Sequence, residues 1–474
     1  MKNYLRTSFY FFSIIVNFLF AVGQNSFAQE NDRLLKKAEE SLKKGIEYFH
    51  SINIQGGYVY FYTTDLKEKW GEGSTDDSTI EVQPPGTPAV GLSFLKAYKV
   101  TGDKSFLRFA HEAGRALFRG QNEYGGWDHK IYFDGKNKKP VVSLDDDQTQ
   151  SAIRFLMALD QEIKNDTLRN SVNKALNMML AAQMPQGGWP HKYPKQGNYH
   201  DYATFNDAGI NRCIDVMLDA YRIYKDDRFY NSLVKVGNYI LISQLPPPQP
   251  GWAQQYNEFL QPVWARPFEP PSVCPPVTLN NINSLMDLFI VTGNDTLLFP
   301  VTDALQWVKD VKMPNGKWPR FAELNTNKPL FYDRGRIRRE SFEELSPERN
   351  TGYGYQRDLS ELINTTEMRY EQMKTGRLGK FQKPSKEEFS IEKLLQKKLE
   401  IEKKVKKIIQ AQDEMGRWVS KNDKFKAEIP NKAWNGQYIV KDRISSEVFN
   451  NNVLVLCEYI NIMNELKSER KSKN

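Results

Sequence analysis

This chain of 474 residues is poor in cysteine and histidine. Its three cysteines, Cys213, Cys274 and Cys457, are far apart and odd in number, and none belongs to a Cys-x-x-Cys pair. That excludes a disulfide scaffold, a thiol redox motif and a cysteine-ligated zinc site; at most one disulfide can form. Cys213 falls in an amphipathic segment and is expected in the core. The five histidines show no His-Glu-x-x-His spacing, so that zinc hydrolase pattern is absent. His191 and His200 flank a loop and are candidates to line a subsite; the others are read as structural. There is no Gly-x-Ser-x-Gly elbow and no phosphate-binding glycine loop. Long apolar runs are equally scarce. The one candidate, Phe9 to Val22, follows Lys2 and Arg6 and precedes Asn25-Ser-Phe-Ala28. It is short for a membrane span and has the layout of a secretory signal, residues 1–28. A secreted or periplasmic protein starting near Gln29, with no stable membrane span, is expected.

What the chain does have is basic charge and aromatic side chains. The formal net charge is +8, and loss of the two basic residues of the signal leaves +6, which suits an anionic partner. Much of the excess lies in Lys393–Lys407, read as a solvated helix face, and in Lys467–Lys473, read as a frayed tail. Neither pattern points to nucleic acid.

Glycine–aromatic turns recur at Gly56-Gly57-Tyr58, Gly125-Gly126-Trp127, Gly187-Gly188-Trp189, Gly251-Trp252, Gly316-Lys317-Trp318 and Gly416-Arg417-Trp418. From Tyr58 to Trp318 the aromatic positions advance by 62 to 69 residues, the mark of a repeat architecture. The segments between them carry helical apolar periodicity, as in Ile153, Leu156, Met157 and Leu159, or Ile210, Ile214, Met217 and Leu218. Two helices and one glycine-rich turn per unit predict a mostly all-α fold, an α/α toroid, over 29–360. Strand signals are short and local, at Tyr58–Tyr62 and Phe331. Residues 361–474 read as a charged helical extension that packs on the barrel or helps to close it, with a degenerate repeat turn at Trp418.

Four loops carry chemistry. Trp252 to Glu269 holds Arg266 among aromatic and proline residues, a setting that aims an arginine at an anion. Asp145-Asp-Asp147 gathers three carboxylates at a helix start. One would suffice as a cap; three repel each other, and a cation such as Ca²⁺ would relieve that. Asp207 occupies the matching position one repeat later. Arg320 and Arg334 stand in a loop-rich segment, where a guanidinium fork suits a carboxylate. Arg338 and Arg339 are followed by Glu340, Glu343 and Glu344, which fits surface ion pairs.

Several ordered stretches resemble the pectate lyases of polysaccharide lyase family 10. They are Gly187-Gly-Trp-Pro-His-Lys-Tyr-Pro194, Ala203-Thr-Phe-Asn-Asp207, Trp264-Ala-Arg-Pro-Phe-Glu-Pro-Pro-Ser272, Trp318-Pro-Arg-Phe-Ala-Glu-Leu-Asn-Thr-Asn-Lys-Pro329 and Glu348-Arg-Asn-Thr-Gly-Tyr353. The resemblance runs from about 85 to 356. It implies Ca²⁺-assisted β-elimination of polygalacturonate in an α/α toroid, by a monomer. It implies Arg266 as catalytic base, oriented by Glu269, and Asp145, Asp146 and Asp207 as calcium and substrate carboxylates. Arg320 and Arg334 are implied to clasp substrate carboxylates, with Trp189 and Asn206 also at the substrate. Two stretches depart from the family pattern. Asp145-Asp-Asp-Gln-Thr149 replaces Asp-Asn-Gly-Ala-Thr, and Thr204-Phe-Asn-Asp-Ala-Gly209 has one acid fewer than Thr-Phe-Asn-Asp-Asp-Ala. Two other classes remain open on the residues alone. One is a toroid glycoside hydrolase using paired acids among Asp145–Asp147 and Asp207; the other is a non-catalytic uronate-binding protein.

Overall fold

The tryptophan turns are what hold the helices in register. In each, the indole Nε1 donates to a carbonyl in the last turn of the preceding helix. Trp127 bonds Leu117 O (2.9 Å), Trp189 bonds Met179 O (2.9 Å) and Trp252 bonds Ile240 O (2.7 Å). Trp318 bonds Val308 O (2.6 Å) and Trp418 bonds Ile408 O (2.9 Å). Helix C-termini leave carbonyls without an intrahelical partner, and the buried indoles satisfy one per unit. These tryptophans are therefore core residues. Trp189, expected at the substrate, has no exposed surface and its only polar atom is spent on Met179, so it touches no ligand.

The computed structural model describes residues 31–135, 140–376, 391–428 and 434–472. The signal segment expected at 1–28 lies outside the described residues. The helices are α1 (31–51), α2 (Thr87–Thr101), α3 (Lys104–Gly120), α4 (Gln148–Asp160), α5 (Asp166–Ala182), α6 (Gly209–Tyr224) and α7 (Asp227–Ser243). They continue with α8 (Pro275–Thr292), α9 (Val301–Asp310), the short α10 (Pro347–Asn350), α11 (Ser360–Lys374), α12 (Ile391–Ala411) and α13 (Ser446–Ser472). The inner wall follows the contacts α13–α2–α4–α6–α8–α11, while α3, α5 and α7 meet outside it. This is an α/α toroid. One continuous apolar cluster runs from Leu34 to Leu466. The three cysteines are buried and free. No helix among the described residues is long and apolar enough to cross a membrane.

A second bond ties three of the turns to the neighbouring unit. Gln121 Nε2 donates to Gly125 O of its own turn and to Ser171 O of α5; Gln183 repeats this with Gly187 O and Ser232 O of α7. Gln412 makes the same pair of bonds, to Gly416 O and to Ser41 O of α1. The glycine permits the approach. Gly187 has φ +117°, and a Cβ there would lie 2.3 Å from Lys235 O. Gly416 has φ +88°, and its Cβ would lie 2.6 Å from Lys44 O. The Trp418 turn, expected to be degenerate, is thus a full member of the set, and it joins the last outer helix to the first. Gly45 of α1 leaves room for its ring, which would stand 2.4 Å from a Cβ.

The C-terminal region also supplies a sheet that its charged composition hid. Val419–Lys426 pairs with Tyr438–Ser445, which pairs with Phe61–Thr63; Lys69–Gly71 and Gly73–Thr75 complete five antiparallel strands. Helix α13 then enters the inner wall, where Asn450 accepts from Ser93 Oγ (2.8 Å) and donates to Pro85 O (3.0 Å). The ring of helices therefore runs past residue 360 to α13.

Elsewhere the strands are short and join the rim loops of consecutive units. Val142–Ser143 pairs with Lys192–Tyr193, and Ala203–Thr204 pairs with Gln255–Tyr256. Each loop that leads into an inner helix is thereby fixed to the turn of the next unit.

If the Trp418 turn closes the ring, Trp418→Ala should destabilise the protein by about 3–5 kcal/mol, the usual range for a buried tryptophan. Urea unfolding would measure this. A loss below ~1 kcal/mol would mean that residues 412–418 do not hold the first and last units together.

Candidate active site

The rim loops converge on the N-termini of the inner helices. Asp145, Asp146 and Asp147 stand immediately before α4, and Asp207 stands before α6. Both places use a pair of left-handed residues: Asp146 (φ 46°) with Asp147 (φ 58°), and Asp207 (φ 44°) with Ala208 (φ 61°). Non-glycine residues pay for this conformation with strain, which is commonest at functional sites. Asp147 is the residue preceding α4, yet its side chain makes no capping bond.

The four acids separate into three and one. Asp145, Asp146 and Asp207 each offer a carboxylate oxygen, and these oxygens lie within 4.8 Å of one another. Asp147 turns away toward Arg212, with Oδ2 4.0 Å from Nε. Of the three adjacent carboxylates only Asp145 and Asp146 join the cluster; its third member, Asp207, comes from the next unit, as the resemblance implied. Asp145 Oδ1 is buried without a hydrogen-bond partner. The Asp146 carboxyl is pushed up to about 7, first by burial and then by the charges of Asp145 and Asp207. An orphaned buried oxygen, mutual repulsion and hard oxygen donors together fit a divalent cation such as Ca²⁺.

Arginines face this cluster. Arg266 is held by Glu269 at two points: its backbone N–H donates to Oε2 (3.0 Å) and its Nη2 to Oε1 (2.7 Å). The same Nη2 lies 3.8 Å from Asp207 Oδ2. Glu269 is buried and also accepts from the Tyr353 hydroxyl (2.7 Å). Burial alone would lower the Arg266 pKa, but the Glu269 bond outweighs it and the guanidinium is held firmly protonated.

Arg320 is buried. It donates to Asn206 Oδ1 (2.9 Å) and Tyr353 O (3.1 Å), and its Nη2 lies 3.5 Å from Asp207 Oδ1. Asp207 thus stands between the two arginines. Asn206 is buried too, and its visible role is to hold Arg320.

Arg334 is placed differently. Its fork is already filled by Glu348, at 2.9 and 2.8 Å, and it is largely exposed. It still lies over the Phe268 ring (5.4 Å), as do Arg266 (5.4 Å) and Arg349 (4.0 Å).

Phe268, Tyr353 and Arg349 received no role from the residues alone. Tyr353 bonds Glu269 and carries Arg320 over its ring at 4.5 Å; buried Arg349 lies between Phe268 and Tyr353. Their stretch, Glu348 to Tyr353, was visible as a motif. What it touches depends on a contact across more than 80 residues. His191 is buried, with Nδ1 3.9 Å from Asp145 Oδ2 and Nε2 3.1 Å from Gln255 Oε1. His200 packs edge-on against it, and burial, followed by the charge of Lys192, lowers its pKa to about 4.

The pattern of a family described as pectic acid lyase matches residues 132–317 and, in a second segment, 301–363. No curated protein sequence matches. Similar solved structures include the family 10 polysaccharide lyase of Cellvibrio cellulosa. A mutant of it in complex with trigalacturonic acid is 22% identical over 60% of this chain and 97% of that one, with a TM-score of 0.48. The cellobiose 2-epimerase of Bacillus thermoamylovorans B4167 is 11% identical over 90% and 99%, with a TM-score of 0.48. A D-mannose isomerase is 11% identical over 90% and 97%, with a TM-score of 0.47.

The raised Asp146 pKa makes a stability prediction for the cation-free protein. Between about pH 4 and pH 7 the folded chain keeps a proton that the unfolded chain has lost, so stability falls as pH rises through that window. Asp146→Asn removes this term. In chelator its gain over wild type should be near nil at pH 4 and complete above pH 7, read from urea midpoints. A gain that does not change with pH would refute the assignment.

Proposed function

We propose that this chain, which the pectic acid lyase pattern matches from 132 to 363, is an exported, monomeric pectate lyase that cleaves polygalacturonate by β-elimination with Arg266 as base. The observation that carries the reading is the alignment of Arg266, Asp207 and Arg320, with Glu269 fixing Arg266 at two points.

The hard step is removal of the C5 proton, because the resulting carbanion sits beside a carboxylate. Asp145, Asp146 and Asp207 would hold a Ca²⁺, which when bound supplies charge that neutralises the substrate carboxylate and acidifies that proton. Arg320 adds a second positive charge from a dry setting, where it acts more strongly than in water. Arg334 would join it by exchanging Glu348 for a substrate carboxylate. Arg266 takes the C5 proton, the C4–O bond breaks with its electron pair on the leaving oxygen, and a C4=C5 double bond forms. No water nucleophile is required.

Arginine is a weak candidate for a base because its guanidinium rarely gives up its proton. Glu269 and Asp207 strengthen that hold in the cation-free protein. Engaging Asp207 elsewhere removes one of the two restraints, while burial favours the neutral form. Rates should therefore climb through the alkaline range without a plateau near neutrality. Hydrolysis by paired acids fits less well. Asp145, Asp146 and Asp207 crowd together with oxygens within 4.8 Å, without the ~6.5–9.5 Å gap that an inverting glycosidase leaves for water between its two acids.

Ultraviolet absorbance of polygalacturonate digests tests the proposal directly. Unsaturated product should accumulate with calcium and stop with chelator, and Arg266→Ala should abolish turnover with its fold intact. New reducing ends without absorbance would make the protein a hydrolase. Retained near-normal rates in Arg266→Ala would remove Arg266 from the reaction.

A further inference from the structure

The two C-terminal strands, Val419–Lys426 and Tyr438–Ser445, lie outside the residues that the pectic acid lyase pattern matches. Residues opposite each other in an antiparallel pair share a face, and so do alternate residues along one strand. Lys426 stands opposite Tyr438 and Lys424 opposite Val440, so these four share one face. Phe425, Ile439, Lys441 and Arg443 share the other. That second face is satisfied within the fold. Arg443 lies between the rings of Phe61 (3.8 Å) and Phe425 (3.7 Å) and pairs with Asp423 (2.7 Å), while Lys441 pairs with Glu68.

The first face carries cations without acids. Lys424 and Lys426 form no ion pair with any described residue. Lys424 Nζ lies over the Tyr438 ring at 4.3 Å, and Lys426 Nζ lies over the Trp434 ring at 4.6 Å. The two rings meet edge to face, with centroids 4.9 Å apart. Tyr438 and Val440 are 39% and 55% exposed, and Trp434 is half-buried. An apolar patch left open to solvent and rimmed by polar groups marks an interaction surface. Rings give a sugar an apolar platform, and unpaired ammonium groups beside them select a sugar that carries negative charge.

This face adjoins the catalytic rim. Lys426 Nζ donates to Thr351 O (2.7 Å), two residues before Tyr353, whose hydroxyl donates to Glu269. A Cβ at Gly352 would lie 3.3 Å from Lys426 Nζ, and one at Gly436 would lie 3.8 Å from Pro347 Cβ. Partial burial and then the positive charge of Arg349 lower the Lys426 pKa, so the cationic rim and the strands share one field.

We propose that Lys424, Lys426, Trp434 and Tyr438 form an accessory surface for a polyuronate chain, separate from the site that holds the bond to be cleaved. This rests on the polyuronate reading above, which brings a long anionic chain to the rim. A polymer held at both places gains from linked contacts, because the second engages at the effective concentration set by the first. A trimer seated at Arg266 and Asp207 makes only the first contact. The strands therefore favour polymer over short oligomers without taking part in the chemistry.

Electrophoresis through native gels containing polygalacturonate tests this, with Arg266→Ala as parent so that the polymer is not consumed. Two sets of changes are added to the parent: Lys424→Gln with Trp434→Ala, and Lys424→Glu alone, which keeps both rings. Lys426 is left in place because its bond to Thr351 braces the rim. Each should weaken retardation by the polymer roughly tenfold, the usual size of a lost anchor contact. Trigalacturonate, titrated calorimetrically with calcium present, should bind all three proteins alike. Unchanged retardation in both variants would overturn the surface, as would a parent that the polymer does not retard. An equal loss for trimer and polymer would overturn it too, since the strands would then act only by shaping the rim. Gels containing dextran sulfate should not reproduce the loss; if they do, the strands are a general polyanion patch and not a uronate surface. Failure of the elimination reading has its own signature, because wild type would then form no unsaturated product even where retardation differs.

Discussion

Five outer helices end on a carbonyl bonded by a buried indole, and the rest of the toroid depends on that bond. Trp127, Trp189, Trp252, Trp318 and Trp418 make it in the same way. The accompanying glutamine then links Gln121 to α5, Gln183 to α7 and Gln412 to α1. The last of these joins two ends of the chain 371 residues apart. Ring closure is therefore made with the same bond that spaces the interior units. The five-stranded sheet and α13 add to the closure.

Repetition also explains why the acids meet. Residues that precede successive inner helices fall at equivalent points on one rim. Asp145 and Asp146 before α4 thus face Asp207 before α6, and short strands between the loops fix their separation. Such a cluster repels itself, and burial together with the charges of Asp145 and Asp207 raises the Asp146 pKa. The arginines do not neutralise it completely, because Glu269 and Glu348 take part of their charge. The result is a rim with strong opposing charges a few ångströms apart, poised to rearrange when an anionic chain and a cation enter together.

Phe268 organises the arginine side of that rim. Arg266, Arg334 and Arg349 all lie over its ring, and Tyr353 closes the group by bonding Glu269 and underlying Arg320. Cations above an aromatic face gain attraction from its negative quadrupole, so one buried phenylalanine helps to hold like charges together.

The spacing of the glycine–tryptophan turns and the 3.6-residue periodicity between them were enough to determine the toroid, because both are local patterns that recur. Motif order likewise made Arg266, Asp145, Asp146, Asp207 and Arg320 legible as one group. Tertiary structure decided what no local pattern encodes. Trp189 is in the core because its indole must satisfy Met179, which proximity to a candidate loop does not reveal. Asp147 leaves the acidic cluster because a left-handed backbone turns it toward Arg212. The role of residues 412–472 was hidden because charged, solvent-facing positions dominate their composition, while ring closure rests on a few others, the buried Trp418 and Asn450 and the half-buried Gln412. Tyr353 and Phe268 have their roles only through contacts between residues far apart in the chain. Long-range packing, which periodicity cannot express, is the physical reason.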